Sequence, residues 1–266
     1  MATAIYIILG LLTGQFLAWC ADRLPAERDL GWHAGCPHCG RPLPADMSAP
    51  ARWLVLLGWR TCPFEGGRWR WRTLALTAIT AAGFGYLWSL YGWTAELIVK
   101  TMYWAIFALV TVIDLERRLI LNVVVFPACL LALAGALLTP EPGIRRAVLG
   151  GITGFLMLFV IYLLGALFAR VMARLRGRPI NEVAFGAGDV KLALFIGLVT
   201  GLPGVIFALV IGIFLGGLFA GAYLLWMLLV RRRYSAFTAI PYGPFLVIGA
   251  LVMMLYGPAI IQWYAG

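Results

Sequence analysis

The chain has 266 residues, of which 63% are hydrophobic and only 12% are charged. Soluble domains carry about 25% charged residues, so this composition excludes an ordinary soluble protein and indicates an integral membrane protein. A net charge of +10 would suggest nucleic acid in a soluble protein. Here we interpret it as basic loops on the cytoplasmic face of a membrane, with no nucleic-acid partner.

Apolar stretches of roughly bilayer-spanning length follow one another along the chain, separated by turn-like or charged breaks. The pattern predicts an all-α polytopic membrane protein with about eight transmembrane helices and a small cytoplasmic loop domain after the first helix. The approximate spans are 3–20, 73–91, 97–113, 119–138, 146–168, 183–201, 204–230 and 240–263.

The first apolar stretch has no basic residue before it, and the first positive charge is Arg23. This order favours a retained membrane anchor over a cleaved signal peptide. The only sizeable segment outside the predicted spans is 21–72. We therefore predict a first transmembrane helix at 1–20, a cytoplasmic loop domain at 21–72 and a seven-helix membrane domain at 73–266.

Arginines are concentrated in four segments that separate the predicted spans: 21–72, 114–118, 170–180 and 231–233. These segments fall on one face of the membrane if every span is crossed in turn. The positive-inside rule then places them in the cytoplasm and both termini outside.

Two aspartates interrupt the apolar spans: Asp114 closes the third and Asp189 opens the sixth. In the predicted topology both lie near the cytoplasmic surface at similar depth. Two carboxylates brought together share one proton because like charges repel. The ionised acid can take a proton from water while the neutral acid hydrogen-bonds a scissile carbonyl, as in aspartic proteases.

The residues around these aspartates fit a cavity that receives an extended peptide. Gly186 and Gly188 leave backbone exposed beside the second aspartate, and irregular backbone at membrane depth is tolerated where it lines a cavity. A third break at the same depth opens the eighth span and contains Pro241, Gly243 and Pro244.

Ordinary roles are alternatives for all of these polar residues. Either aspartate can cap a helix or pair with a neighbouring arginine such as Arg117 or Arg118. Glu182 and Lys191 flank the second aspartate, and each either tunes the site or faces solvent. An intramembrane serine protease is poorly supported, because it needs a nucleophile and a base together and no span offers that pair.

Four motifs carry a resemblance to a known family. The first combines Gly14, Phe16 and Leu17 with Arg-Leu-Pro at 23–25. The second is Ile-Asp at 113–114, followed by Ile-Leu-Asn at 120–122, where the family usually has a proline. The third is Glu182 followed by GAGDVKL at 186–192, and the fourth is PYGPF at 241–245. In these motifs the sequence resembles the type IV prepilin peptidases, which belong to the GxGD intramembrane aspartyl proteases.

The resemblance implies an endopeptidase of the bacterial inner membrane that cleaves prepilin or pseudopilin leaders after a glycine, with its active site facing the cytoplasm. Its partners would be these precursors, of a pilus or a type II secretion system, and membrane lipid. The catalytic pair would be Asp114 and Asp189. The substrate-binding or supporting residues would be Glu182, Gly186, Gly188, Lys191, Pro241, Gly243 and Pro244.

The resemblance implies two cofactors, zinc and S-adenosylmethionine, and the sequence does not decide whether either one binds. Family members carry two Cys-x-x-Cys pairs in the loop, and here a zinc site would use Cys36, Cys39, Cys62 and Glu65. His33 or His38 is another candidate fourth ligand, and a loop without metal is the alternative. N-methylation with S-adenosylmethionine is equally open, because the tract RWRWRTLAL at 68–76 lacks the acid that the family usually has there.

Two functions of other classes compete with the peptidase. One is a membrane transporter or proton-relay protein in which Asp114 and Asp189 carry ions or protons. The other is a structural membrane subunit whose loop docks a partner.

Overall fold

The computed structural model describes residues 2–26, 70–176, 186–227 and 241–266, together with scattered positions between 43 and 55 and position 229. Eight α-helices and one short 3-10 helix, Leu24–Ala26, are complete within this part of the chain, and the all-helical prediction is confirmed. The α-helices are α1 (Ala2–Arg23), α2 (Trp71–Tyr91), α3 (Ala95–Arg117), α4 (Asn122–Leu138), α5 (Gly143–Arg176), α6 (Ala187–Thr200), α7 (Gly204–Trp226) and α8 (Gly243–Ala265).

Six of the described helices are long and apolar enough to cross a membrane: α1, α2, α3, α5, α7 and α8. The chain is therefore a multi-pass membrane protein. The other two helices are shorter than predicted, with 17 residues in α4 and 14 in α6. At 1.5 Å per residue, α6 is roughly 21 Å long, less than the hydrocarbon thickness of about 30 Å.

The chain divides into two compact units, Met1–Ile113 and Asp114–Gly266. In the first unit, α1 and α2 approach closely through glycines on α1. A Cβ added at Gly10 would lie 2.7 Å from the Cα of Ala81, and one added at Gly14 would lie 2.6 Å from the Cα of Thr77. Small residues at these positions let the two backbones pack directly, as membrane helices require.

Ion pairs join the end of α1 to the start of α2. Asp22 accepts two hydrogen bonds from the guanidinium of Arg70, at 2.8 and 2.9 Å, and one from Arg72 at 2.8 Å. The 3-10 helix and the segment up to residue 69 lie between these partners in sequence. The pairs therefore hold together the two points at which that segment leaves the helices.

The short helix α6 is the centre of the second unit. It packs against α4, α5, α7 and α8, and Leu192, Ala193, Phe195 and Ile196 on it are fully buried. Its contact with α5 is again made by glycine: a Cβ at Gly150 would collide with the backbone of α6. The first turn of this central helix carries Asp189.

Candidate active site

Asp114 lies in the last turn of α3 and is the first residue of the second unit. Its side chain is buried, with only 5% of the residue exposed. The backbone N–H of Gly243 donates a hydrogen bond to its Oδ2 at 3.1 Å. A buried carboxylate without such a donor would be costly, so this amide stabilises the aspartate in its buried position.

Gly243 begins α8 and packs its Cα directly against the Asp114 carboxylate. A Cβ built at this glycine would collide with Oδ2 of Asp114. Pro244 follows within the first turn of α8, where proline suits a helix start because its missing N–H has no helical partner there. Pro241 lies just before the helix and is half-buried.

Asp189 is the third residue of α6, and its Oδ2 accepts a hydrogen bond from the backbone N–H of Gly186 at 2.8 Å. Gly186 is the N-cap residue, with extended backbone at φ −88° and ψ 165°. This bond is the acidic half of a capping box, since glycine has no side chain to return the second bond. The ordinary role of helix cap is therefore present at Asp189.

The structure brings the two aspartates together in the second unit, close enough for their charges to repel each other. Each carboxylate also accepts one glycine amide through Oδ2. Asp114 also interacts electrostatically with Arg118, one of the two arginines considered as its partner. The arrangement thus places two carboxyl groups near each other, each oriented by a backbone amide.

Two side chains near this pair were missing from the predicted site. Asn122, the first residue of α4, accepts a hydrogen bond from Nζ of Lys191 at 2.7 Å. Ile120 packs on Gly188, where a Cβ would lie 2.9 Å from the Cβ of Ile120. Both residues belong to the Ile-Leu-Asn stretch at 120–122 that carried part of the family resemblance, and this stretch was the available signal for them. Their contacts with α6 had no signal in the sequence.

Five of the predicted site residues lie outside the described residues. They are Glu182 and the four proposed metal ligands, Cys36, Cys39, Cys62 and Glu65. Their roles stay predictions, as do the domain boundaries around the loop. Among the residues that the structure describes, no group of three or more histidine, cysteine, aspartate or glutamate side chains is arranged to hold a metal ion.

Comparison with known proteins gives a match of residues 101–221 to the Type IV leader peptidase family. The matched segment contains both Asp114 and Asp189. Proteins that are similar to the chain along nearly its full length are also named as leader peptidases. The chain is thus similar to type IV leader peptidases, over this segment by the family match and along nearly its whole length by these relatives. The resemblance drawn from the motifs is thereby confirmed, and with it the class of enzyme, a leader peptidase.

Three relatives illustrate the extent of the similarity, and each is named prepilin leader peptidase/N-methyltransferase. The protein of Bacillus subtilis is 28% identical, over 98% of this chain and 97% of its own length. That of Aeromonas hydrophila is 27% identical, over 98% and 93%. That of Pseudomonas aeruginosa is 26% identical, over 97% and 91%. No solved structure matches the chain.

Proposed function

We propose that this leader peptidase is an intramembrane aspartyl endopeptidase in which Asp114 and Asp189 are the catalytic pair. Its substrates are type IV prepilins or pseudopilins, cut after a glycine on the cytoplasmic face of the bacterial inner membrane. The observation that carries the proposal is the approach of two carboxylates from different helices, with interacting charges and one glycine amide on each.

The reaction needs the pair to hold one proton. The ionised carboxylate takes a proton from water, whose oxygen adds to the scissile carbonyl carbon. The neutral carboxyl group hydrogen-bonds the carbonyl oxygen and gives it its proton, forming a tetrahedral diol. When the C–N bond breaks, a diol hydroxyl proton returns to one carboxylate and the departing nitrogen takes a proton from the other. The pair is then ready for another cycle.

The glycine amides support this chemistry by orienting the carboxylates. Each amide binds Oδ2 and so restricts the side-chain torsions of its aspartate before substrate arrives. Preorganised groups save the cost of ordering at the moment of reaction. Gly186 is also exposed, and its extended backbone is suited to lie beside an extended leader peptide.

The two aspartates are the first test of the proposal. The purified protein is incubated with a pilin-like precursor peptide, and cleavage is followed by mass spectrometry. Asp114→Asn and Asp189→Asn should each lower the rate by at least about a hundredfold, because acid–base catalysis contributes factors of this order. Glu116→Gln removes an exposed carboxylate from the same end of α3 and should leave the rate unchanged. Full activity in either aspartate variant would overturn the proposal.

The relatives' names add an N-methyltransferase activity, and we extend the proposal to methylation of the new amino terminus by S-adenosylmethionine. This half rests on those names. Its test is the same assay with S-adenosylmethionine added, where a methyl group should replace one amino hydrogen and the cleaved product should gain the mass of CH2. A product that is cleaved but never methylated would remove this half and leave the peptidase.

Zinc in the cytoplasmic loop is a further part of the proposal, with Cys36, Cys39, Cys62 and Glu65 as ligands. Bound metal would staple a loop too small to build a core of its own. Elemental analysis of the purified protein should find about one zinc per chain. A Cys36→Ser variant should lose it, and a protein without zinc would contradict this part alone.

A further inference from the structure

We propose that the linker between α3 and α4 is clamped onto the first turns of α6, and that this clamp sets the separation of Asp114 and Asp189. Its polar member is the hydrogen bond between Lys191 and Asn122, which makes Lys191 a positioning residue. The consequence for catalysis rests on the proposed function, whereas the clamp itself is a structural property that can be measured without it.

The linker is short, so its position is coupled to that of Asp114. Helix α3 ends at Arg117 and α4 begins at Asn122, which leaves four residues between them. Arg118 closes α3 in a left-handed conformation, with φ +54°, and its N–H donates to the backbone oxygen of Asp114 at 2.8 Å. A non-glycine residue rarely adopts this conformation, so the surrounding contacts must hold the tight exit from the helix in place.

Two contacts hold the other end of the linker against α6. Ile120 packs where Gly188 has no side chain, and a Cβ there would lie 2.9 Å from that of Ile120. Two residues along, Asn122 accepts the hydrogen bond from Lys191 at 2.7 Å. Gly188 and Lys191 are three residues apart and therefore share one face of α6. The linker thus meets a single face of the helix, apolar at one point and polar at the other.

Asp189 lies between these two contacts in sequence, while Asp114 lies just before the clamped linker. Movement of the linker away from α6 would therefore change the distance between the two carboxylates. A misplacement of about 1 Å in reacting groups can cost about a hundredfold in rate. The two contacts of the linker with α6 therefore bear on the rate through a distance of that order.

The alternative role for Lys191 is purely electrostatic, as a positive charge near two acids. Asn122→Asp separates the two roles, because it keeps an acceptor for Lys191 but offsets its charge. A positioning role predicts that this variant keeps a rate within about threefold of wild type. Lys191→Arg should likewise retain most of the rate, since arginine also donates to the amide oxygen.

The experiment is a double-mutant cycle on Lys191→Met and Asn122→Ala, with cleavage of a pilin-like precursor peptide as the readout. Each single variant should lower kcat by about 10- to 100-fold with little change in KM. The double variant should be no slower than the slower single, because both remove one bond. Lys100→Met is the matched control, since Lys100 also donates to a neutral side chain, Tyr91, at 2.8 Å, besides its ion pair with Glu96 at 3.2 Å. It should keep the wild-type kcat.

Independent effects of the two substitutions, or an unchanged kcat in both, would overturn the clamp. A lower thermal midpoint with unchanged kcat would overturn the control of the carboxylate separation, since it would leave Lys191 a merely structural role. The same cycle measured on thermal midpoints without substrate separates the two proposals. If wild type cleaves no precursor, the proposed function fails, and the clamp stands or falls on whether the midpoint shifts of the two substitutions are coupled.

Discussion

Gly243 is the residue whose identity is most tightly constrained at the site. Its N–H binds Asp114, and its missing side chain leaves the space that the carboxylate occupies. The glycine acts through its amide and its size, because its φ lies outside the left-handed region. A substitution here therefore tests steric positioning without adding backbone strain.

Gly243→Ala should lower cleavage by at least about tenfold, because the new methyl group displaces the Asp114 carboxylate from its position. The protein should still fold, since alanine favours the helix that begins here. Gly257→Ala is a control in the same helix, where an added Cβ makes only ordinary contact with Met253, at 3.5 Å. Equal rates for the two variants would show that the Asp114 position is not critical.

The proposed mechanism, in which Asp114 and Asp189 share one proton, makes cleavage depend on pH. At low pH both carboxyl groups are protonated, and no base remains to activate water. At high pH both are ionised, and no acid remains for the carbonyl. The rate constant kcat should therefore fall on both sides of an optimum. A profile that is flat across the acid and neutral range would contradict a shared proton.

At the scale of the helices, glycines allow the neighbours of α6 to pack closely around it. A Cβ at Gly197 would collide with the backbone of Gly150 on α5, so the two helices pack at a separation that only small residues allow. Because backbone atoms meet backbone atoms at this contact, no flexible side chain can move aside when a methyl group is added. The core of the second unit is therefore sensitive to single methyl groups.

Gly197→Ala should lower the thermal midpoint of the detergent-solubilised protein, because overpacking a core costs about 1–3 kcal/mol. Gly217→Ala, on α7, is the comparison, since nothing lies within 4 Å of an added Cβ there. That variant should be neutral or slightly stabilising, because alanine is the better helix former. A midpoint unchanged by Gly197→Ala would mean that α5 and α6 can move apart at little cost.

Within the part of the chain that the structure describes, the sequence predicted the number and order of the helices well and their ends less well. Hydropathy identifies the part of a helix that lies in lipid, so the predicted span 146–168 missed the continuation of α5 to Arg176. In the same way, Asp114 was placed at the end of a span but lies inside a helix that continues to Arg117. The length of an apolar segment can be read from the sequence by hydropathy. The residues at which helical hydrogen bonding begins and ends cannot be read in the same way.

For the candidate site, the sequence predicted the main residues but not the contacts between them. The aspartates and glycines were found because charge and backbone breaks are unusual in apolar spans. The bond from Gly243 to Asp114 and that from Lys191 to Asn122 join residues 129 and 69 positions apart. Such partners depend on how the helices pack in three dimensions, which the local pattern of one sequence does not specify.

At the scale of the whole molecule, the distribution of arginines predicts the orientation in the membrane. Cysteines introduced singly at Glu116 and Arg174 should be labelled by an impermeant maleimide from the cytoplasmic side, in a protein without other reactive cysteines. A cysteine at Glu141, between α4 and α5, should be labelled from the opposite side. All three positions are exposed.

The informative outcome is the side on which Glu141 is labelled. Because α4 has only 17 residues, its crossing is less secure than that of the six longer helices. Labelling of Glu141 from the same side as Glu116 would mean that α4 does not cross, and the predicted topology would be wrong from that helix onward.

The ion pairs between Asp22 and the two arginines at the start of α2 have a consequence for how this kind of protein can diversify. The spacing of α1 and α2 is set by their own glycine contacts and by these charges, so it does not depend on what connects them. The intervening forty-odd residues can be lengthened, shortened or exchanged as a cassette while the helical scaffold keeps its dimensions. New recognition properties can then evolve there without rebuilding the hydrolytic machinery.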